Sequence, residues 1–346
     1  MITNDGIRVE EVRRCYLCQN VGTELYTGLR DRLFGAPGLW GFLRCPGCGL
    51  VWLNPRPLPE HLHKVYANYY THVQEERMSR FRSLCEHTRL AVCAAVPGYS
   101  GVALGWGWRQ LGKALCLLPP LREIASLGTM CLNGSRKGKL LDVGCGSGRF
   151  LALMRDAGWK VLGVEQDRAA AKLAQERFGV PVIVGTLPEA NLPEESFDAV
   201  TLSHVIEHVY DPVGLLAECR RVLKPGGRVV VLSPNVESRG RQTFRESWLH
   251  LDPPRHLFLF SLMTLGLCAQ RAGSSVDLIR TSARAAAWTW AASRAIGNRG
   301  ALGHGELLWA PRILGLFFQA REEMDRYTRK DAGEELVLVG GRGPQG

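Results

Sequence analysis

From residue 139 onward the sequence predicts an α/β fold: a doubly wound, mostly parallel sheet with helices on both faces. Three observations point there. Strand-like apolar runs alternate with helix-like segments, two helices end in glycine just before the next strand, and a glycine-rich turn joins the first strand to the first helix. Ahead of the sheet lie a small cysteine-rich module (residues 1–55) and a helical or linker region (56–138). The sheet domain spans 139–346, with insertions expected at about 236–260 and 283–333.

The first module is read from Cys15-x-x-Cys18 and Cys45-x-x-Cys48. Two such pairs joined by a hairpin-length connection suit four thiolates around one tetrahedral Zn²⁺. Gly47 and Gly49 free the backbone to turn, and the short strand "LVWL" completes a zinc ribbon. Sulfur fills all four coordination places, so the ion is expected to be structural. "NPRPLPE" (54–60) ends the module.

Residues 60–88 are polar and aromatic, with "VYANYYTH" the densest aromatic group. Between Arg89 and Arg109 no residue is charged, but Pro97 and several glycines make a continuous membrane helix a poor reading. The following "LGKALCLLPPLREIASL" is amphipathic. Segment 90–132 therefore has two readings, a helical lid against the core or a hairpin on a membrane surface. "NGSRKGK" (133–139) is a flexible basic linker.

In the sheet domain "KLLDVGC" is a buried strand and "GRFLALMRDAG" its helix. "WKVLGVEQD" and "RAAAKLAQERFG" repeat the pattern, "VPVIVG" and "SFDAVTLS" supply two more strands, and "DPVGLLAECRRVLKPGG" is a helix feeding "RVVVLSPN". "SVDLIRTS" and "EELVLVGGR" close the sheet.

Composition sets the outer limits. With 346 residues, 46% of them hydrophobic and 22% charged, the chain is globular and not disordered. A net charge of +10 suits an acidic partner: nucleic acid, an anionic membrane face or a phosphorylated substrate. The first fourteen residues show no secretory pattern, so a cytoplasmic address is expected, membrane-associated if 90–132 lies on a surface. Eleven cysteines in that compartment read as thiols or metal ligands.

"LLDVGCGSGRF" sets Gly144-x-Gly146-x-Gly148 after Asp142, which differs from the G-x-G-x-x-G of dinucleotide binders. Together with "VLGVEQD", "SFDAVTLSHVIEHVYDP" and "RVLKPGGRVVVLSPN", it resembles the ordered motifs of class I S-adenosylmethionine-dependent methyltransferases. The resemblance covers 139–235 directly. It implies that Gly144, Cys145, Gly146 and Gly148 line the methionine part of the cofactor, with Asp142 shaping the loop. Glu165 would accept hydrogen bonds from both ribose hydroxyls. Thr186 and Leu187 would form the adenine turn, which lacks the aspartate many relatives carry there. Ser203 and His204 would flank the methionine moiety.

His204, Glu207 and His208 spell the H-x-x-E-H of some zinc proteases. That reading fails on context, because the motif closes a strand beside a cofactor loop. Two readings remain. His208 is a general base supported by Glu207, or both residues tie the loop down.

The order of ribbon, helices and methyltransferase, with "SWLHLDPPRHLFLFS" downstream, is similar to bacterial methyltransferases of sugar and polysaccharide assembly. The resemblance implies Trp248, His250, Asp252, Arg255 and His256 as sugar or phosphate contacts. The acceptor would be a sugar, glycan or nucleotide- or lipid-linked sugar, methylated on oxygen, since the chain is too short for the extra domain of many sugar C-methyltransferases. RNA is the rival acceptor, suggested by the positive charge and an N-terminal zinc module. A non-catalytic, cofactor-binding scaffold of a membrane-associated assembly complex is the third reading.

Overall fold

A computed structural model describes residues 2–66, 80–99, 102, 104–302 and 309–343. The expected aromatic group beyond Tyr66 and part of the 283–333 insertion lie outside the described residues. Strands β1 (Ile2–Asn4), β2 (Ile7–Glu10), β3 (Thr23–Leu29), β4 (Trp40–Arg44), β5 (Val51–Leu53) and β6 (Arg56–Pro57) belong to the N-terminal module. Then follow β7 (Lys139–Val143), β8 (Lys160–Glu165), β9 (Val182–Val184), β10 (Phe197–Ser203) and β11 (Leu223–Pro234). The last are β12 (Phe258–Leu259), β13 (Ser275–Ser282) and β14 (Glu335–Gly341).

The large sheet runs β13-β14-β11-β10-β7-β8-β9. Strands β7 to β11 pair in parallel, whereas β14 is antiparallel to both β11 and β13. The order reverses between β7 and β10, whose carboxyl ends open the crevice where doubly wound sheets bind ligands. Its central strands are the apolar runs of the sequence. Val229 to Leu232 and Leu336 to Val339 are almost wholly buried, as strands covered on both faces must be.

Helices end where their local chemistry requires it. Asp167 caps Arg168–Phe178 by accepting from Ala169 and Ala170, and Gly179, at φ +62°, closes it. Asp211 caps Pro212–Val222, which has proline at its first position. That helix stops at Val222, and the "KPGG" expected at its exit lies inside β11.

Segment 90–132 forms parts of three helices, Arg80–Ala94, Trp106–Leu115 and Pro119–Gly128. Tyr99, Val102, Leu127, Met130 and Leu132 share one core with Leu140, Ala199, Val230 and Val337, so the segment is a packed layer on the sheet. Gly112 permits the close crossing, because a Cβ there would lie 2.1 Å from the Ala91 carbonyl oxygen. Among the described residues no helix is long and apolar enough to cross a membrane.

The cysteine-rich module is not self-contained. Its sheet runs β12-β5-β4-β3, and β12 comes from residues far downstream. Arg255, fully buried, completes the joint through paired bonds to Asp31 at 2.7 and 2.8 Å.

Candidate active site

Asp142 lies near the end of β7, where Thr201 of β10 donates to its Oδ1 at 2.6 Å. Burial pushes the Asp142 carboxyl up to about 7, against that hydrogen bond. Gly144 and Gly148, at φ +69° and +76°, adopt the left-handed conformation that L side chains resist. A Cβ on Gly144 would lie 2.5 Å from Val205 Cγ2, and one on Gly148 would lie 2.7 Å from Ala174 Cβ. The loop is thus clamped between the turn after β10 and the helix after β8. Cys145 is buried with its sulfur against Gly163, and burial raises its pKa, so it packs and does not react.

Glu165 ends β8 facing this loop. Its Oε2 accepts from the Gly146 N–H at 2.8 Å and its Oε1 from the Asp167 N–H at 2.9 Å. Each oxygen keeps a second lone pair, which is what a pair of ribose hydroxyls needs. Thr186 is drawn into its own turn. Its N–H donates to Glu189 Oε2 at 2.8 Å and its hydroxyl accepts from Glu189 N–H at 3.4 Å. Leu187 is buried in the core. The turn at 186 and 187 is therefore closed by the Glu189 carboxylate, which is held on the Thr186 N–H.

Ser203 is exposed at the end of β10, and His204 follows at φ +56°. His204 Nδ1 lies 3.3 Å from Glu207 Oε1, and Nε2 lies 3.0 Å from Glu335 Oε1. An imidazole facing carboxylates on both nitrogens must be the doubly protonated cation. Burial opposes that charge, but the hydrogen bonds and charges of Glu207 and Glu335 raise His204 to about 10. Glu335 is also paired with Arg284 at 2.8 Å. His204 is thus one link in a buried charge chain, engaged on both nitrogens.

Glu207 is fully buried. Burial would raise its pKa, yet His204 holds it down to about 2. It was expected to support His208, but its Oε2 instead accepts from Ser233 at 3.2 Å. His208 Nδ1 sits 3.1 Å from both the Arg255 carbonyl and the Tyr66 hydroxyl. A carbonyl can only accept, so Nδ1 carries the hydrogen and Nε2 keeps its lone pair. Burial and the neighbouring His256 push His208 down to about 4, which makes it a feeble base at neutral pH.

The expected substrate contacts divide, and most turn out to be structural. Trp248 is buried with its Nε1 on Glu334 Oε2 at 2.9 Å, so it offers no face to a sugar. Arg255 is committed to Asp31, Asp252 and the Val65 carbonyl, with its guanidinium 4.5 Å from the Phe34 ring centre. Asp252 is spent on the same arginine. These residues bind the N-terminal module to the sheet domain, a role invisible in local sequence because Asp31 lies more than two hundred positions away. His250 bonds Thr289 at 3.0 Å and stacks on His204, and burial with the His204 charge lowers it to about 3. His256 directs Nδ1 to the His250 carbonyl at 2.8 Å.

The four module cysteines converge. Cys15 and Cys48 sulfurs are 3.5 Å apart, Cys18 and Cys45 3.2 Å, Cys18 and Cys48 3.7 Å, and all four lie within 4.8 Å of one another. A tetrahedron with metal–sulfur bonds of about 2.3 Å has edges of about 3.8 Å, so the donor set fits zinc.

Comparison with known proteins places this geometry. Residues 109–278 match a family model described as "Methyltransferase domain". A "Probable S-adenosylmethionine-dependent methyltransferase" of Mycolicibacterium smegmatis is 38% identical over 107 residues, 30% of this chain and 42% of that protein. A "Ubiquinone biosynthesis O-methyltransferase" of Alkalilimnicola ehrlichii is 36% identical over 150 residues, 40% of this chain and 59% of that protein. The chain spans about half the length of these curated relatives. A solved Thermotoga maritima SAM-dependent methyltransferase, described as a possible histamine N-methyltransferase, has a TM-score of 0.44 at 18% identity, covering 82% of this chain and all of that one. The match over 109–278 coincides with the glycine loop and switch point just described, and the chain carries a class I S-adenosylmethionine-dependent methyltransferase domain.

Proposed function

We propose that the chain transfers a methyl group from S-adenosylmethionine to a hydroxyl of a sugar or glycan, free or nucleotide- or lipid-linked, in bacterial polysaccharide or lipopolysaccharide assembly. The observation that carries methyl transfer is Glu165. Its carboxylate is fixed by the Gly146 and Asp167 N–H groups at the carboxyl end of β8, across from the glycine loop. When bound, the cofactor supplies an activated methyl group; the chain binds, orients and excludes water. Gly144 and Gly148 let the backbone approach the methionine part, and Glu165 anchors the ribose. The conjunction of ribbon, helical layer and methyltransferase supports the glycan acceptor. Zinc at Cys15, Cys18, Cys45 and Cys48 would hold the ribbon in the form that seats Asp31 on Arg255.

The names of the curated relatives favour a second acceptor, a hydroxyl of a quinone precursor. Both readings share an oxygen nucleophile. Peripheral membrane contact through 90–132 is supported by Trp106, Leu117 and Leu118, exposed by 78%, 82% and 55%.

Calorimetry with S-adenosylmethionine is the first test. Binding by the wild-type chain and at least tenfold weaker binding by Glu165→Ala are expected; no binding by wild type refutes the reading. Transfer of labelled methyl is then assayed on nucleotide sugars, lipid-linked glycans, hydroxylated quinone precursors and RNA. Label in RNA would replace the glycan by the rival acceptor, and tight binding with no transfer to any of them would favour a scaffold.

A further inference from the structure

We propose that the cavity among helices Arg239–Phe244, Ala286–Arg299 and Trp309–Thr328 is an acceptor subsite that binds the diphosphate joining a glycan to its carrier. Its use in methyl transfer rests on the function proposed above; diphosphate binding does not. Arg239, Arg294 and Arg321 line the cavity, one from each helix, over a floor of Phe244, Trp290 and Phe318. Its volume is about 460 Å³, within the range of about 300–1,000 Å³ usual for small-molecule sites. The spacing is helical. Trp290, Arg294 and Asn298 recur at every fourth position, as do Arg239 and Thr243, so each of these helices turns one face to the same space.

Charge and floor both suit an anion. Arg239 Nε lies 3.3 Å from Asp325 Oδ2, whereas Arg294 and Arg321 have no ion-pair or hydrogen-bond partner among the described residues. Three guanidiniums less one carboxylate leave two positive charges at one cavity, and a diphosphate diester carries two negative ones. Like charges gathered there repel, and an anion between them offsets that cost. Arginine's planar fork also matches phosphate oxygens in pairs. Beneath, the Trp290 ring is buried and fixed, its Nε1 donating to Glu322 Oε2 at 3.1 Å. Phe318 stacks on it at 4.3 Å between ring centres, and Phe244 meets it edge-on at 5.2 Å. This apolar floor keeps water from one side of the anion and strengthens its attraction to the arginines. Gly315 lets the two longer helices pack directly, since a Cβ there would lie 2.3 Å from the Ala287 carbonyl oxygen.

The cavity stands at the end of the sheet that carries the cofactor loop. Helix Arg239–Phe244 follows the carboxyl end of β11, helix Ala286–Arg299 follows that of β13, and β11 lies next to β10. Buried bonds tie the floor to the turn after β10. Glu322, which holds Trp290, accepts from the Glu334 N–H at 2.7 Å, and the next residue, Glu335, pairs with His204. A diphosphate anchored here leaves its sugar free to extend toward the switch point. A nucleic-acid backbone would instead call for cations strung along a groove, whereas these three surround one cavity.

Calorimetry on the full chain at physiological salt tests the site, with inorganic pyrophosphate, uridine diphosphate and farnesyl diphosphate as probes. Wild type is expected to bind at least one of them. Uridine diphosphate binding more tightly than pyrophosphate marks a nucleotide carrier, and farnesyl diphosphate doing so marks a lipid carrier. Arg294→Gln and Arg321→Gln, both at exposed positions, should each weaken binding about tenfold. Lys172→Gln, which removes an exposed charge from another helix, should leave it unchanged. No binding of any probe at millimolar concentration, or the same affinity in all three variants, would overturn the site. So would single-stranded RNA that the arginine variants fail to bind and that pyrophosphate does not displace from wild type. With a carrier-linked glycan as methyl acceptor, Arg294→Gln should raise KM about tenfold while S-adenosylmethionine affinity holds. An unchanged KM would remove the cavity from the reaction. Diphosphate binding by a wild-type chain that binds no S-adenosylmethionine would sink the methyl-transfer reading and leave the cavity's ligand standing.

Discussion

Asp31→Asn removes one charge from the joint between the ribbon and the methyltransferase domain. Asp31 and Arg255 are both wholly buried, with the closest contact at 2.7 Å. At an effective dielectric of about 20 that pair is worth about 6 kcal/mol of gross attraction. The amide keeps one accepting oxygen and Arg255 keeps Asp252, so the net loss falls near the lower end for a broken buried pair, about 3 kcal/mol. For a chain of this size that corresponds to a fall in Tm of about 4 °C. Thermal unfolding followed by circular dichroism at pH 7 measures it. Glu11→Gln, which breaks the exposed pair with Arg13, serves as the control and is expected to move Tm by less than about 1 °C. A change below 1 °C for Asp31→Asn as well would refute the view that buried charge welds the two parts together.

Gly144→Ala places a Cβ 2.5 Å from Val205 Cγ2 at φ +69°, so strain of about 1–2 kcal/mol and a displaced loop are expected. Calorimetry should show S-adenosylmethionine affinity reduced about tenfold or more. Cys45→Ser removes one of four converging thiolates, and metal analysis should find zinc lost along with a lower Tm. The His204 pKa is raised from 6.5 to about 10, so its contribution to stability is complete below about pH 6.5 and disappears as pH climbs through 10. Glu207, lowered from 4.5 to about 2, contributes above pH 4.5 and is lost as pH falls through 2. Tm should therefore decline on the alkaline side in wild type, and His204→Gln should flatten that limb. An unchanged slope in the variant would show that His204 is not the titrating group.

Local patterns made much of the site legible. The alternation of strands and helices, the glycine loop and Glu165 all depend on neighbours a few residues apart, and those interactions are written into short stretches of chain. The cysteine pairs were legible for the same reason, since each pair forms one tight turn. Where the reading failed, the partners were distant. Trp248 looked like a sugar platform because its bond to Glu334 is invisible along the chain, and Arg255 looked free because Asp31 is in another module.

"SHVIEHVYDP" shows the same boundary. By itself, the sequence determined that His204, Glu207 and His208 would stand in the turn after a strand, next to a cofactor loop. Spacing cannot assign their protons. Tertiary structure decided that Glu335 makes His204 a cation, that Ser233 takes one oxygen of Glu207, and that His256 approaches His208 from a loop nearly fifty residues on. The charge and tautomer of a buried group are set by whatever surrounds it in space, and at this site those surroundings arrive from five separate segments of the chain.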